Sequence, residues 1–271
     1  MKIFKEKKKL INEISKVKNI AFVPTMGALH SGHLSLIKKA KKISKNVLVS
    51  IYINPKQFNS SSDYRKYPRN VNKDIALLKK IKIKYIYLPN HEDLYSFKTK
   101  FPLRIDSFSK KLCGKFRPGH FKGVVDVVNR FLEIIKPQSI YLGVKDFQQL
   151  SLIKLHIKKN KIKTNVVDCP TIRENNGMAL SSRNNRLHKE EKKIAGRIYG
   201  YIKRNKKYIF SMILKNKKKK IINEIKLLGI KKIDYLESLN LNSLKKAKNV
   251  NENYNIFIAY YMRKIRLIDN L

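Results

Sequence analysis

Two histidines, His30 and His33, flank Ser31 and Gly32 where a short apolar run, residues 20–23, gives way through Pro24 to a helical pattern in Leu34 and Ile37. Ser31 reads as the helix N-cap. Backbone N–H groups at a helix N-terminus lack partners and the helix dipole favours anions there. Gly27 and Gly32 let the backbone approach such a ligand. Imidazoles at i and i+3 can reach one phosphoryl group from the same side. A lone loop histidine is ordinarily a turn or capping residue; this pair, at a strand-to-helix junction, points to phosphoryl chemistry. No G-x-x-x-x-G-K-[ST] or G-x-G-x-x-G occurs, which removes the P-loop and dinucleotide routes.

Other candidates stand further along the chain. Lys145, between Gly143 and Asp146 in GVKDFQQL, could meet a phosphate as a point charge, although a solvated lysine is the ordinary reading in so basic a chain. Asp146 either caps the following helix or accepts hydrogen bonds from a ribose. Ser181, Ser182 and Arg183 offer two hydroxyls and a guanidinium fork suited to a pyrophosphate, or else form a surface turn. Gln57 and Gln149 could hold hydroxyl or carboxyl oxygens without adding charge. Arg117 and His120 in RPGH either close over a site or stabilise a turn. No Ser-His-Asp elbow, catalytic cysteine or metal cage stands out, which leaves electrostatics and positioning as the means of catalysis.

The elements that must position these residues follow from periodicity. Residues 1–19 read as an amphipathic helix with Ile3, Leu10, Ile11 and Ile14 on its apolar side, packed at a sheet edge. Apolar runs at 20–23, 46–53, 85–88, 139–142 and 164–167 read as buried strands, with a further possible strand at 103–105. Helices fall between them, including one after FRPGHFKG striped by Val124, Val127, Val128, Phe131 and Ile135. Residues 56–74 read as a long loop. Alternation of strand and helix implies an α/β fold, a Rossmann-like parallel sheet with helices on both faces. Ligands of such sheets bind at the carboxyl ends of the strands. PTMGALHSGH, NPKQF, GVKDFQQ and PTIRENNGMALSSRNN all follow those ends. Beyond residue 186 come lysine-rich helices and strand-like runs at 233–239, 255–261 and 266–269, a smaller C-terminal α+β part with an antiparallel sheet. The expected division is 1–175 for the nucleotide-binding catalytic domain and 176–271 for the small domain covering the site.

The chain of 271 residues is 42% hydrophobic, enough for a sizeable core, and carries a formal charge of +43. Lysines are spread over almost every segment beside abundant Ile and Asn, as A+T-rich codons produce. Solvated helix faces therefore explain the charge better than a specific nucleic-acid function, although salt-sensitive polyanion binding and attraction of anionic substrates are expected. Cys113 and Cys169 are far apart, as free thiols of a reducing cytosol would be. The N-terminus lacks an apolar leader core and no run is long enough to span a membrane, so a cytoplasmic, unexported protein is expected.

The element around HSGH resembles the H-x-G-H signature of the nucleotidyltransferase superfamily. PTMGALHSGH, VSIYINPKQFN, DYRKYPRNVNKD, FRPGHFKGVVDVVNRFLEIIKP, YLGVKDFQQLSLI and PTIRENNGMALSSRNNRL each resemble the corresponding motif of the pantothenate synthetase family. They stand in family order and cover most of residues 20–187. The resemblance implies an ATP-dependent ligase, usually a homodimer, that condenses pantoate with β-alanine through a pantoyl adenylate, releasing pyrophosphate and AMP. Carried over motif by motif, ATP contacts are Met26, Gly27, Ala28, Leu29, His30, Ser31, Gly32 and His33, then Gly143, Val144, Lys145 and Asp146, then Ile172, and finally Leu180, Ser181, Ser182 and Arg183. His33, His30 and Lys145 would be catalytic, His33 matching the family's proton donor. Gln57 would bind pantoate and lie near β-alanine, and Gln149 would bind pantoate. Asp74 matches a position associated with Mg²⁺, with Lys73 where an acidic neighbour is common. Val144 replaces a usual glutamate and Leu180 a usual methionine. Two rival readings remain: another H-x-G-H nucleotidyltransferase with a phosphorylated acceptor, and a basic nucleic-acid-binding protein without catalysis. NPKQF and DFQQL favour the carboxylate substrate.

Overall fold

Val, Ile and Leu occupy both faces of the central strands, the pattern of a sheet buried on two sides. The computed structural model describes all 271 residues, and in it six strands, β1 (Lys2–Phe4), β2 (Ile20–Thr25), β3 (Asn46–Ile51), β4 (Tyr85–Tyr87), β5 (Ser139–Gly143) and β6 (Asn165–Cys169), form one sheet. Its order is β1-β4-β3-β2-β5-β6, and every pairing is parallel. From β2 the chain moves first to β3 on one side and later returns to β5 on the other. The order therefore reverses between β2 and β5, where the connecting helices leave the sheet on opposite sides and a crevice opens at the carboxyl ends.

Each face has its own core. On one, the helix His120–Ile135 packs Val124, Val128 and Phe131 against Phe22, with Leu10 and Leu150 in the same cluster. On the other, Ile37 and Ala40 of the helix Ser31–Ile43 cover Val47, Val49 and Tyr141. The C-terminal strands β7 (Lys232–Asn240), β8 (Tyr254–Met262) and β9 (Ile265–Asn270) form an antiparallel meander. The helices Lys189–Arg204, Lys206–Leu214 and Lys218–Leu227 enclose a separate core with it through Ile198, Phe210, Ile221 and Ile258. A fourth cluster joins Phe108, Phe121 and Leu152 to Tyr235, Leu239 and Phe257 of the meander. The two halves therefore share buried apolar surface beside the crevice.

Three local expectations are corrected. Residues 1–19 are not one helix: Lys2–Phe4 pairs with β4 as an edge strand and the helix runs Lys7–Ile14, leaving Ile3 and Ile11 exposed. The Asp93 carboxylate accepts the Lys7 N–H, a helix start supplied from far along the chain. No strand forms at 103–105, because side chains replace a ladder there: Asn129 Nδ2 donates to Phe101 O, Glu133 accepts from the N–H groups of Lys100 and Phe101, and His156 Nδ1 accepts from Arg104 N. Residues 56–74 are not an unbroken loop, since Ser60 and Asn70 each cap a helix, Ser61–Arg65 and Val71–Lys80. No helix is long and apolar enough to cross a membrane.

Candidate active site

β2 ends at Pro24-Thr25, and Thr25 Oγ1 starts the turn by donating to Ser50 O and accepting from Gly27 N. Gly27 and Ala28 then both take left-handed backbone, φ 75° and 50°. A Cβ on Gly27 would lie 2.9 Å from Asp74 Oδ2 and 3.0 Å from Ile51 Cγ2, so only glycine fits. Asp74 is 3% exposed, and its two oxygens accept from Ala28 N and Leu29 N, each at 2.8 Å.

The helix that follows is capped by His30, with Ser31 exposed at its first position. His30 Nδ1 accepts from Gly32 N at 3.1 Å, and His33 Nδ1 accepts from His30 N at 3.3 Å. This is a capping box built from two imidazoles, each Nδ1 standing where a hydroxyl or carboxylate oxygen usually does. An Nδ1 that accepts cannot carry the proton, so both neutral rings present Nε2–H. The rings lie 4.1 Å apart. Burial, with Lys145 nearby, lowers the His30 pKa to about 4. Burial, with His30 and Lys145 beside it, lowers that of His33 to about 3.

These rings line a cavity of about 260 Å³ at the crevice between β2 and β5. Lys145 and Asp146 enter it from the end of β5, and Ser181, Ser182 and Arg183 from the turn Ser182–Arg186 and the residue before it. Ile172 and Leu180 line it too, joined by a Leu180 N–H to Ile172 O bond of 3.0 Å. Met26, Gly32, Gly143, Gln57 and Gln149 complete the set brought together. Arg183 is already paired, donating to Asp63 Oδ2 at 2.9 Å.

Six expected residues do not line this cavity: Gly27, Ala28, Leu29, Ser31, Val144 and Asp74. Ala28 and Leu29 serve through their backbone, Ala28 O also accepting from Ser182 Oγ at 3.3 Å. Val144 packs against the apolar core, with its carbonyl held by Asn270. Asp74 does not fit a metal seat, being buried with both oxygens committed to backbone N–H groups.

Arg117 and His120, left open between lid and turn, both line the cavity and hold one atom of it. Gln57 O accepts from His120 Nδ1 at 2.6 Å and from Arg117 Nη2 at 3.1 Å, while Arg117 Nη1 donates to His120 Nε2 at 3.1 Å. Burial beside Arg117 lowers the His120 pKa to about 3, which keeps the ring neutral with its proton on Nδ1. The Gln57 side chain is 8% exposed, with Nε2 against Met26 Sδ. Asn54 Nδ2 donates to Gly123 O, so the first turn of the helix His120–Ile135 rests directly on the Pro55–Gln57 turn. A Cβ on Gly123 would come within 2.3 Å of Lys56 O. Gly123→Ala should therefore displace the Pro55–Gln57 turn and cost about 1–3 kcal/mol of stability through overpacking, which a denaturant titration would show.

Sequence reading missed an apolar wall of Tyr52, Val124, Val127, Val128 and Phe131, and also Tyr67. The helical stripe was visible but indistinguishable from core. Tyr67 lies within DYRKYPRNVNKD, a stretch the family resemblance marks, but its polar surroundings gave the tyrosine itself no role.

The three neutral histidines have a consequence for pH. Their native pKa values lie below the usual 6.5, so between about 6.5 and about 3 the unfolded chain binds more protons than the folded one. Their contribution to stability is intact above pH 6.5 and is lost as the pH falls toward 3. Imidazole NMR signals of His30, His33 and His120 in the unliganded protein should show no titration between pH 5.5 and 8, a range set by those depressed values. A midpoint near 6.5 for any of them would contradict the arrangement.

A parallel sheet with an H-x-G-H helix start, a lysine and a Ser-Ser-Arg turn around one cavity at its strand-order switch defines an α/β protein with a cavity suited to a phosphorylated ligand. Comparison with known proteins gives the particular family. The family model described as Pantoate-beta-alanine ligase matches residues 2–271. A pantothenate synthetase of Sulfurihydrogenibium sp. (strain YO3AOP1) is 40% identical over 259 residues, covering 94% of this chain and 92% of the relative. Among solved structures, pantothenate synthetase from Thermus thermophilus superposes with a TM-score of 0.89 at 30% identity, covering 100% of this chain and 99% of that one. Pantoate-beta-alanine ligase from Francisella tularensis, complexed with beta-gamma ATP and beta-alanine, gives 0.84 at 39% identity, covering 100% and 97%. The chain belongs to the pantoate-β-alanine ligase family. That membership removes both rivals raised by the sequence, the nucleotidyltransferase with a phosphorylated acceptor and the non-catalytic nucleic-acid binder.

Proposed function

We propose that this cavity joins pantoate to β-alanine in two steps driven by ATP. In the first, a pantoate carboxylate oxygen attacks the α-phosphorus of ATP in line; the bond to the bridging oxygen breaks and pyrophosphate leaves. In the second, the neutral amine of β-alanine attacks the acyl carbon of the pantoyl adenylate; the acyl–oxygen bond breaks, AMP leaves, and the amine loses a proton to give pantothenate. Neither step needs a covalent enzyme intermediate. What the protein supplies is orientation and a fixed field for negative charge.

The two Nε2–H donors and the Lys145 ammonium, converging on one cavity, carry this reading. His30 and His33 donate hydrogen bonds to phosphoryl oxygens as neutral imidazoles, and triphosphate charge beside them raises their basicity. Lys145 meets the growing charge on the α-phosphoryl group. Ser181, Ser182 and Arg183 receive the leaving pyrophosphate, Arg183 exchanging Asp63 for it. Asp146 stands at the helix start where a ribose hydroxyl can donate to it. Gln57 and Gln149 hold pantoate, whose methyl groups lie against the wall of Val124, Val127 and Phe131. Mg²⁺ enters on the phosphates of ATP as part of the substrate, and no step is assigned to a protein-held ion. The C-terminal part, residues 176–271, closes the site from above and keeps water from the adenylate. The enzyme works in the cytoplasm as a homodimer, which light scattering would check.

Incubation with ATP, Mg²⁺, pantoate and β-alanine should yield pantothenate, AMP and pyrophosphate in equal amounts. With pantoate carrying ¹⁸O in its carboxylate, one label should appear in AMP. ADP and phosphate as products, or unlabelled AMP, would overturn the two-step reading.

A further inference from the structure

The loop that carries Lys145 is held by the far end of the chain. Asn270, the last residue of β9 and 6% exposed, places Nδ2 at 3.1 Å from Val144 O and 3.0 Å from Lys145 O. Carbonyl oxygens only accept, so the amide must turn its NH₂ toward them and its oxygen away. That oxygen accepts from Asn255 Nδ2 at 3.1 Å, and Asn255 Oδ1 in turn accepts from Lys206 Nζ at 3.2 Å. Since an ammonium only donates, every link from Lys206 to the Lys145 loop runs in one direction. In a trans peptide the N–H points opposite to the carbonyl, so fixing these two carbonyls also fixes the N–H groups of Lys145 and Asp146. Next to Asn270, Asp269 takes Arg173 bidentately at 2.6 and 2.9 Å, tying the same strand end to the 170–180 hairpin of the cavity.

We propose that Asn270, oriented by Asn255, is a positioning residue for Lys145: the C-terminal meander sets the backbone from which the catalytic ammonium is presented to the nucleotide. The inference rests on the assignment of Lys145 to the phosphoryl group. Two full-length variants separate it from a merely structural role. Asn270→Ala removes both bonds to the loop. Asn255→Asp keeps shape and the contact with Lys206 but can no longer donate, so the Asn270 amide turns over and sets its oxygen against the two carbonyls. Both variants should lower kcat/KM for ATP by between about tenfold and a hundredfold and leave the KM for pantoate within about twofold, while Asn270→Ala also melts lower because two carbonyls lose their donor. ATP kinetics unchanged in both variants, or a uniform loss for all substrates alongside a lowered melting temperature, would overturn the proposal. Should Lys145→Ala itself keep normal turnover, the lysine's role fails, and this inference with it; should Lys145→Ala fail while both asparagine variants work normally, only this inference falls.

Discussion

Lys145→Ala should fold as the wild type does and lose about a hundredfold or more in pantoate-dependent pyrophosphate release, the scale of removing one preorganised donor from a developing phosphoryl charge. It has a second readout. Burial is the main cause that holds the basicity of His30 and His33 down and Lys145 adds to it, so removing the lysine should raise both imidazoles somewhat while burial keeps them below the usual range. His33→Ala should lose as much activity and also destabilise the start of the helix Ser31–Ile43, because the His30 N–H loses its acceptor. Quench-flow measurement of pyrophosphate, with NMR of the remaining histidines, tests both effects. Normal release by either variant would remove that residue from the mechanism.

Asp74→Ala is the other large effect expected. Its carboxylate satisfies the N–H groups of Ala28 and Leu29 where the chain runs left-handed into the H-x-G-H turn. Losing a hydrogen bond to a charged acceptor costs about 1.5–3 kcal/mol. The variant should unfold at lower denaturant concentration and lose at least about tenfold in activity as the turn relaxes. Asp74→Asn should recover only part of this, since its NH₂ would face a backbone N–H. The magnesium dependence of the remaining activity should match the wild type. A defect that shrinks as Mg²⁺ is raised would instead place the ion on Asp74.

The contrast between Lys145 and Asp74 shows what a sequence makes legible. The central residues of β2, β3 and β5 are apolar because both faces are covered, and the segments bearing His33, Lys145 and Arg183 announce themselves by following strand ends. The C-terminal meander was visible as strand-like runs at 233–239, 255–261 and 266–269. Long-range pairings were not. Asp74 meets a turn 45 and 46 residues away, Arg183 meets Asp63 at a separation of 120, and Asn270 meets Lys145 at 125. Nothing local marks these partners. Short-range misreadings had a different origin: Ser31 has the usual chemistry for a cap, but His30 reaches the N–H of Gly32 first. Residues 100–104, though apolar in part, find acceptors and donors on neighbouring helices and have no need of a strand partner.

The imidazole box at the start of the helix Ser31–Ile43 limits what these histidines can do during turnover. The Nδ1 lone pair with which each ring could take up a second proton is the one that keeps the first helical turn wound. Protonating a ring there would evict its backbone partner, so neither can act as a freely swinging proton shuttle without fraying the helix start. Any acid–base event in the cycle is thereby steered toward the reactants themselves, the β-alanine ammonium above all, and the pH at which the enzyme works best should follow the amine rather than the imidazoles.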